Sequence, residues 1–129
     1  MALPTDANID FILCDVIRRN AEGKLDIAGY FPIHEVKLDP SVPLPAACNL
    51  TFAFVVKDGD GRFRASFRLL DPLGAKLHQQ PLDDFAKEAR VPHVIMLLLN
   101  RIPVARAGNF TVVLEIDGQE FRRPVRIFQ

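Results

Sequence analysis

The stretch VVKDGDGRFRASFRLL, residues 55–70, places two acids and two glycines between two apolar segments. Glycine adopts the positive φ angles of tight turns, so DGDG is predicted to turn the chain, with Gly59 and Asp60 at its centre. The flanking strands then form a hairpin with one apolar face and one face that carries the arginines. The predicted apolar pairs are Val56 with Phe63, Phe54 with Ala65, Phe52 with Phe67, and Leu50 with Leu69.

Apolar runs and alternating patterns predict further strands on both sides of this hairpin. NIDFILCDVI (8–17) and HVIMLLL (93–99) have the composition of buried strands, and LDIAGYF (25–31) and AKLHQQ (75–80) are typical of shorter ones. DPLG (71–74) is a second turn signal, because proline fits the second position of such a turn.

Two segments do not fit this alternation. LDPSVPLPAAC (38–48) is predicted to be an extended crossover loop, because proline lacks a backbone donor and fixes φ. PLDDFAKEAR (81–90) is the one helical candidate, with Asp83 as its cap, and an irregular segment is the alternative.

The closing stretch GNFTVVLEIDGQEFRRPVRIF (108–128) predicts a second hairpin, around the turn Asp117-Gly118. Its register sets Leu114 opposite Phe121 and Phe110 opposite Val125. The same register puts Arg123 opposite Val112 on the apolar face, a misfit that a bulge or an edge position would relieve. Pro124 favours an edge strand, because a central strand would need its missing donor.

Length, net charge and the absence of long apolar segments indicate the class of protein to which this chain belongs. A chain of 129 residues is most simply one domain, here residues 1–129. Sixteen basic and sixteen acidic residues give no net charge, which argues against a nucleic-acid binder. MALPTDANID lacks the features of a secretory signal and VIMLLL (94–99) is too short to span a membrane, so a cytoplasmic protein is expected. A mature form that has lost a leader is the alternative.

About seven or eight strands with little helix predict an all-β fold: a two-sheet antiparallel β-sandwich, immunoglobulin-like in the loose sense. The absence of tryptophan excludes a true antibody-type domain. FILCDVIRRNAEGKLDIAGYF (11–31), LLDPLG (69–74) and GNFTVVLEIDGQEFRRPV (108–125) resemble a family of small uncharacterised bacterial β-sandwich proteins. The resemblance implies a fold but no activity, and it assigns no site residues.

No motif for a metal, a cofactor or a nucleophile is complete. Asp58 and Asp60 have the spacing that opens a calcium loop, but Leu69 stands where the loop needs its bidentate glutamate. Cys14 and Cys48 lie in apolar segments and are predicted to be buried thiols. The histidines are spread along the chain without ligand spacing: His34, His78 and His93. No cofactor, metal ligand or catalytic residue is therefore predicted.

The remaining candidate is a surface made by two outer strand faces. Arginines on such faces could engage an acidic partner, or simply keep a solvated face from aggregating. A proline at an edge, followed by an outward phenylalanine, favours contact with a partner strand or a second copy of the chain. The candidate partner surface comprises Arg62, Arg64, Arg68, Arg122, Pro124, Arg126 and Phe128.

The predicted function is therefore non-catalytic binding, of another protein or of a second copy as a homodimer. Two alternatives remain open. The first is a small-ligand or metal-dependent activity at the loop end of the sandwich, and the second is a structural role in a larger assembly. Fold alone does not choose among them.

Overall fold

A computed structural model gives the structure of all 129 residues. Apart from one 3-10 turn at Asp6–Asn8, its regular elements are all strands. The twelve strands are β1 (Ile9–Cys14), β2 (Val16–Arg19), β3 (Leu25–Ala28), β4 (Glu35–Lys37), β5 (Ala46–Val56), β6 (Gly61–Phe63), β7 (Ala65–Leu70), β8 (Lys76–Pro81), β9 (Phe85–Lys87), β10 (His93–Val104), β11 (Gly108–Ile116) and β12 (Gln119–Phe128).

Two large sheets carry the fold, as the sequence predicted. One has three strands in the order β1-β5-β10, and the other has five in the order β4-β12-β11-β7-β8. Hairpin β2–β3 and the pair β6–β9 form two small sheets beside them. All pairs are antiparallel except β4 and β12, which run parallel. The all-β sandwich is thus confirmed, with more strands than the seven or eight expected.

The predicted hairpin around DGDG is wrong, although its faces are right. β5 pairs with β1 and β10, whereas β7 pairs with β11 and β8, so the chain changes sheets at DGDG. Phe52 and Phe67 do face each other, but across the core, with ring centroids 5.3 Å apart. Side-chain alternation gives the same faces in both arrangements, because it depends only on position along each strand.

The core lies between the two large sheets and forms one cluster of 25 buried residues. β5 supplies its centre: Phe52 and Phe54 are fully buried, and both rings contact Phe11 of β1. β7, β11 and β12 supply the opposite wall from the other sheet. The apolar alternation read from the sequence thus defines both inner faces.

The closing hairpin has the predicted register, with Leu114 opposite Phe121 and Phe110 opposite Val125. Arg123 also lies opposite Val112, as expected, and no bulge relieves the misfit. Its guanidinium instead donates hydrogen bonds to the Asp6 carboxylate and to the backbone oxygens of Asp6 and Ile9. The arginine therefore ties β12 to the start of β1.

The helix expected within residues 81–90 is absent. Phe85–Lys87 forms β9 instead, with Phe85 and Lys87 buried and Ala86 exposed. The Lys87 ammonium donates hydrogen bonds to the backbone oxygens of Gly59 and Glu88, and the first of these connects β9 to the DGDG segment. Because lysine is rarely buried, the sequence pattern did not indicate this strand.

Two other elements differ from their predictions. The strand expected over 8–17 is divided at Asp15, whose backbone N–H donates to the oxygens of Ala28 and Gly29. The strand expected over 93–99 is β10, but only alternate residues of it are buried. The turn at 71–74 is present and joins β7 to β8.

None of the structure's helices has the length and apolar character that crossing a membrane requires.

Candidate functional site

The arginines singled out from the sequence divide into paired and unpaired members. Arg68 forms ion pairs with Glu115 and Glu120, and Arg122 also pairs with Glu120 at 3.0 Å. Hydrogen bonds from Arg68 and Arg122 hold the pKa of Glu120 below its ordinary value. The guanidinium groups of Arg62 and Arg64 form no ion pair, although the Arg64 backbone N–H donates to the Asp117 carboxylate at 2.8 Å. The predicted row is thus partly neutralised by glutamates of β11 and β12.

The end of β12 is less open than Pro124 suggested. β4 pairs with residues Arg126 to Phe128, so β12 is an edge only before that point. Phe128 is half-buried, and the Arg126 guanidinium lies 4.7 Å above its ring while also contacting Glu35 at 3.3 Å. The predicted outward phenylalanine is therefore covered in part by its own chain.

Asp58 of the DGDG segment anchors the N-terminal residues. Its carboxylate accepts hydrogen bonds from the Thr5 backbone N–H (3.0 Å), the Thr5 hydroxyl (2.5 Å) and the Asn8 amide (3.3 Å). Partial burial tends to raise the pKa of Asp58, but the bonds from Thr5 and Asn8 outweigh it, so the pKa lies below its ordinary value. Asp60 is exposed, and its backbone pairs with Ala2.

We expect Asp58→Ala to destabilise the protein by about 1 kcal/mol at pH 7, because three hydrogen bonds are lost. A lowered folded-state pKa stabilises above the unfolded value of about 3.9 and stops doing so as pH falls through the folded pKa. The difference from wild type should therefore shrink below about pH 4. Urea denaturation across pH measures it. Asp60→Ala is the control, and equal losses for both variants would contradict the anchoring role.

The histidines and cysteines lie in separate environments. His34 stands edge-on to Phe11, His78 is 2.7 Å from the Gln80 amide oxygen, and His93 stacks on Phe85 at 4.1 Å. Both cysteines are free and buried, and burial raises the pKa of each thiol; Asp15 adds to the effect at Cys14. No group of three or more metal-ligating side chains occurs in the structure.

Apolar side chains are exposed on the outer face of the three-stranded sheet. In β10, Ile95, Leu97 and Leu99 belong to the core, whereas Met96 and Leu98 point outward and are 43% and 61% exposed. The composition of this whole segment predicted a buried strand. The apolar run did not reveal this exposure, because apolar residues on both alternating faces are typical of a strand that is buried on both sides.

Hairpin β2–β3 turns this face into a groove. Ala53 of β5 points outward yet is fully buried, because β2 packs over that part of the sheet. A groove of about 310 Å³ remains between β2 and β10. This outer groove is lined by Asp15, Val16, Ile17, Thr51, Met96, Leu97 and Leu98.

A second cavity of about 280 Å³ adjoins the outer groove and shares Asp15 and Thr51 with it. Cys14 and Asn49 add polar groups to its lining, and Phe31 is among its apolar residues. The Asn49 side-chain oxygen is already occupied, because it accepts a hydrogen bond from the Arg101 backbone N–H at 2.9 Å.

A family model matches residues 9–127, which is nearly the whole chain. The chain belongs to a family of unknown function, DUF6941. This confirms the predicted membership of an uncharacterised family. The match to DUF6941 includes the outer groove and both large sheets, except Phe128, the last residue of β12.

A search of curated proteins finds no match. Among solved structures, the chain is similar to Pseudomonas fluorescens alkylpurine DNA glycosylase AlkC bound to DNA containing an abasic site analog, with a TM-score of 0.48 and 12% identity. The likeness covers 76% of this chain, and only 28% of the length of the glycosylase chain.

Proposed function

We propose that this protein works by binding another polypeptide chain through the outer groove. The observation that carries the proposal is the exposure of Met96 and Leu98 on a strand whose other face belongs to the core. Contact with a partner removes grouped apolar side chains from water, which is favourable, and contiguous apolar patches on a surface often mark interaction sites.

The groove has the form that peptide recognition uses. Its floor is formed by strands of the three-stranded sheet, its wall is β2, and most of its lining is apolar. Asp15 and Thr51 add polar groups at its border, where they can fix the orientation of a bound segment. The paired arginines of β7 and β12 support the same choice, because their charges are already compensated within the chain.

We expect Leu98→Asp to weaken partner binding by at least about tenfold, since burying a leucine side chain contributes roughly 1.5–3 kcal/mol. The measurement is affinity capture from an extract of the cells that produce the protein, read by quantitative mass spectrometry. Leu73→Asp is the matched control, because Leu73 is a 71% exposed leucine in the β7–β8 turn, outside the groove.

We expect wild type and the Leu73→Asp variant to capture the same polypeptide. The Leu98→Asp variant should not capture it. Urea denaturation of all three proteins shows that each is folded. Equal recovery by both variants would place the binding surface elsewhere, and capture of nothing by wild type would remove the support for a binding function.

A further inference from the structure

The two large sheets have four outermost strands, and three of these are closed. β12 is also an edge before Arg126, and there it is protected by Glu120, Arg122, Arg123 and Pro124. Along β1, the Ile9 oxygen accepts a hydrogen bond from Arg123 and the Leu13 oxygen accepts one from the Phe31 N–H. β4 has three residues, two of them charged. β8 has six, including Lys76 and Pro81. Capping, short length, charge and proline are the usual protections of a sheet edge.

The fourth edge, β10, lacks these protections over most of its length. It has twelve residues and pairs only with β5. Its regular part runs from His93 to Leu99 and contains no lysine, arginine, aspartate or glutamate. A bulge follows, between Leu99 and Ile102, where Arg101 has a φ of 57°. Arg101 and Pro103 therefore protect only the last third of the strand.

We propose that the free edge of β10 pairs with β10 of a second copy of this chain, in an antiparallel ladder centred on Met96. This inference rests on the proposed function, because it names the partner that lies beside the outer groove. The ladder would join two three-stranded sheets into one continuous sheet of six strands, in the order β1-β5-β10-β10-β5-β1.

The side chains of β10 match this pairing. A two-fold axis at Met96 sets His93 opposite Leu99, Val94 opposite Leu98, and Ile95 opposite Leu97 of the second copy. Each pair joins residues of the same face, so outward side chains meet outward ones and core side chains meet core ones. No charge opposes another within this ladder. The two outer grooves then lie side by side across the axis.

A second copy also fits better than an unrelated strand. The added strand should be extended, uncharged and apolar on both faces, as the regular part of β10 is. Two other strand segments of this chain are uncharged over seven residues or more, in β5 and β11. Both lie inside their sheets with a neighbour on each side, so β10 is the free strand that meets the requirement.

Analytical ultracentrifugation of the full chain from about 1 to about 100 µM tests the pairing. We expect a monomer–dimer equilibrium for wild type, and at least a tenfold higher dissociation constant for Met96→Lys. Met96 is already half-exposed in one chain, so the lysine should not unfold it. Leu73→Lys is the control and should leave the dimer intact. A monomeric wild type, or a dimer that survives Met96→Lys, would overturn the proposal.

Cysteine cross-linking tests the position of the axis. Met96→Cys should give a disulfide-linked dimer on mild oxidation, because facing residues of an antiparallel pair lie within disulfide distance. Wild type should not form a disulfide-linked dimer, because Cys14 and Cys48 are buried. Leu73→Cys should not form one either, because residue 73 lies in the β7–β8 turn, outside the proposed ladder. Equal cross-linking through Leu73→Cys would contradict the ladder. A monomer that still captures another protein through Leu98 would end the self-pairing proposal and leave the proposed function standing.

Discussion

We expect Phe52→Ala to lower the free energy of unfolding by about 3–5 kcal/mol. Phe52 is fully buried in the middle of β5, and its ring lies 5.6 Å from Phe11, 6.0 Å from Phe54 and 5.3 Å from Phe67. Phe67 belongs to the opposite sheet, so this ring helps to join the two layers of the sandwich. Its removal leaves a cavity that surrounding strands cannot close without breaking their ladders.

Urea denaturation measures this loss, and Phe128→Ala is the matched control. Phe128 is half-buried on the outer side of β12, where its ring contacts the Arg126 guanidinium, so its removal should cost at most about 1 kcal/mol. A loss under about 1 kcal/mol for Phe52→Ala would mean that the inner and outer faces of β5 are reversed. Both variants keep the same net charge, so the comparison isolates burial.

The sequence predicted which face of each strand is buried better than it predicted which strands pair. Phe52 and Phe67 were expected to be neighbours and are, but through ring contact across the core. Alternation counts positions along one strand, whereas pairing depends on how the chain closes long loops between strands. DGDG is compatible with a hairpin and with a change of sheet, and nothing local distinguishes the two.

The closing hairpin shows when pairing can be predicted as well. Asp117-Gly118 forms a two-residue turn, with φ of 48° and 85°, and such a turn leaves one register between its strands. Leu114 and Phe121 consequently lie opposite each other, as expected. The contact that satisfies Arg123 was not predictable, because its acceptors lie at the other end of the chain.

The candidate surface depended on information that no single strand contains. Arg68 and Arg122 were placed correctly on outer faces, but the glutamates that neutralise Arg68 come from two other strands, β11 and β12. Glu120 also pairs with Arg122 of its own strand. Met96 and Leu98 were missed because an apolar run has the same composition in a central strand and at an edge. The topology makes β10 an edge, and only then does its apolar outer face become a surface.

We expect Arg123→Met to destabilise the protein by about 2–4 kcal/mol, because several charge-assisted hydrogen bonds are lost together. The Arg123 side chain is only 15% exposed, and its guanidinium joins β12 to the backbone oxygens of Asp6 and Ile9. Methionine keeps the length of the apolar stem but leaves these two oxygens without their donor. The cost arises at the junction of the two sheets, where β1 meets β12.

Two controls separate these backbone contacts from simple charge pairing. Arg122→Met removes a neighbouring arginine whose side chain is 54% exposed, and a surface ion pair of this kind contributes at most about 1 kcal/mol. Asp6→Asn removes the carboxylate partner of Arg123 but keeps both backbone acceptors, so it too should cost less than about 1 kcal/mol. Urea denaturation ranks the three variants. If Asp6→Asn matched Arg123→Met, the ion pair rather than the backbone contacts would hold β12 against β1.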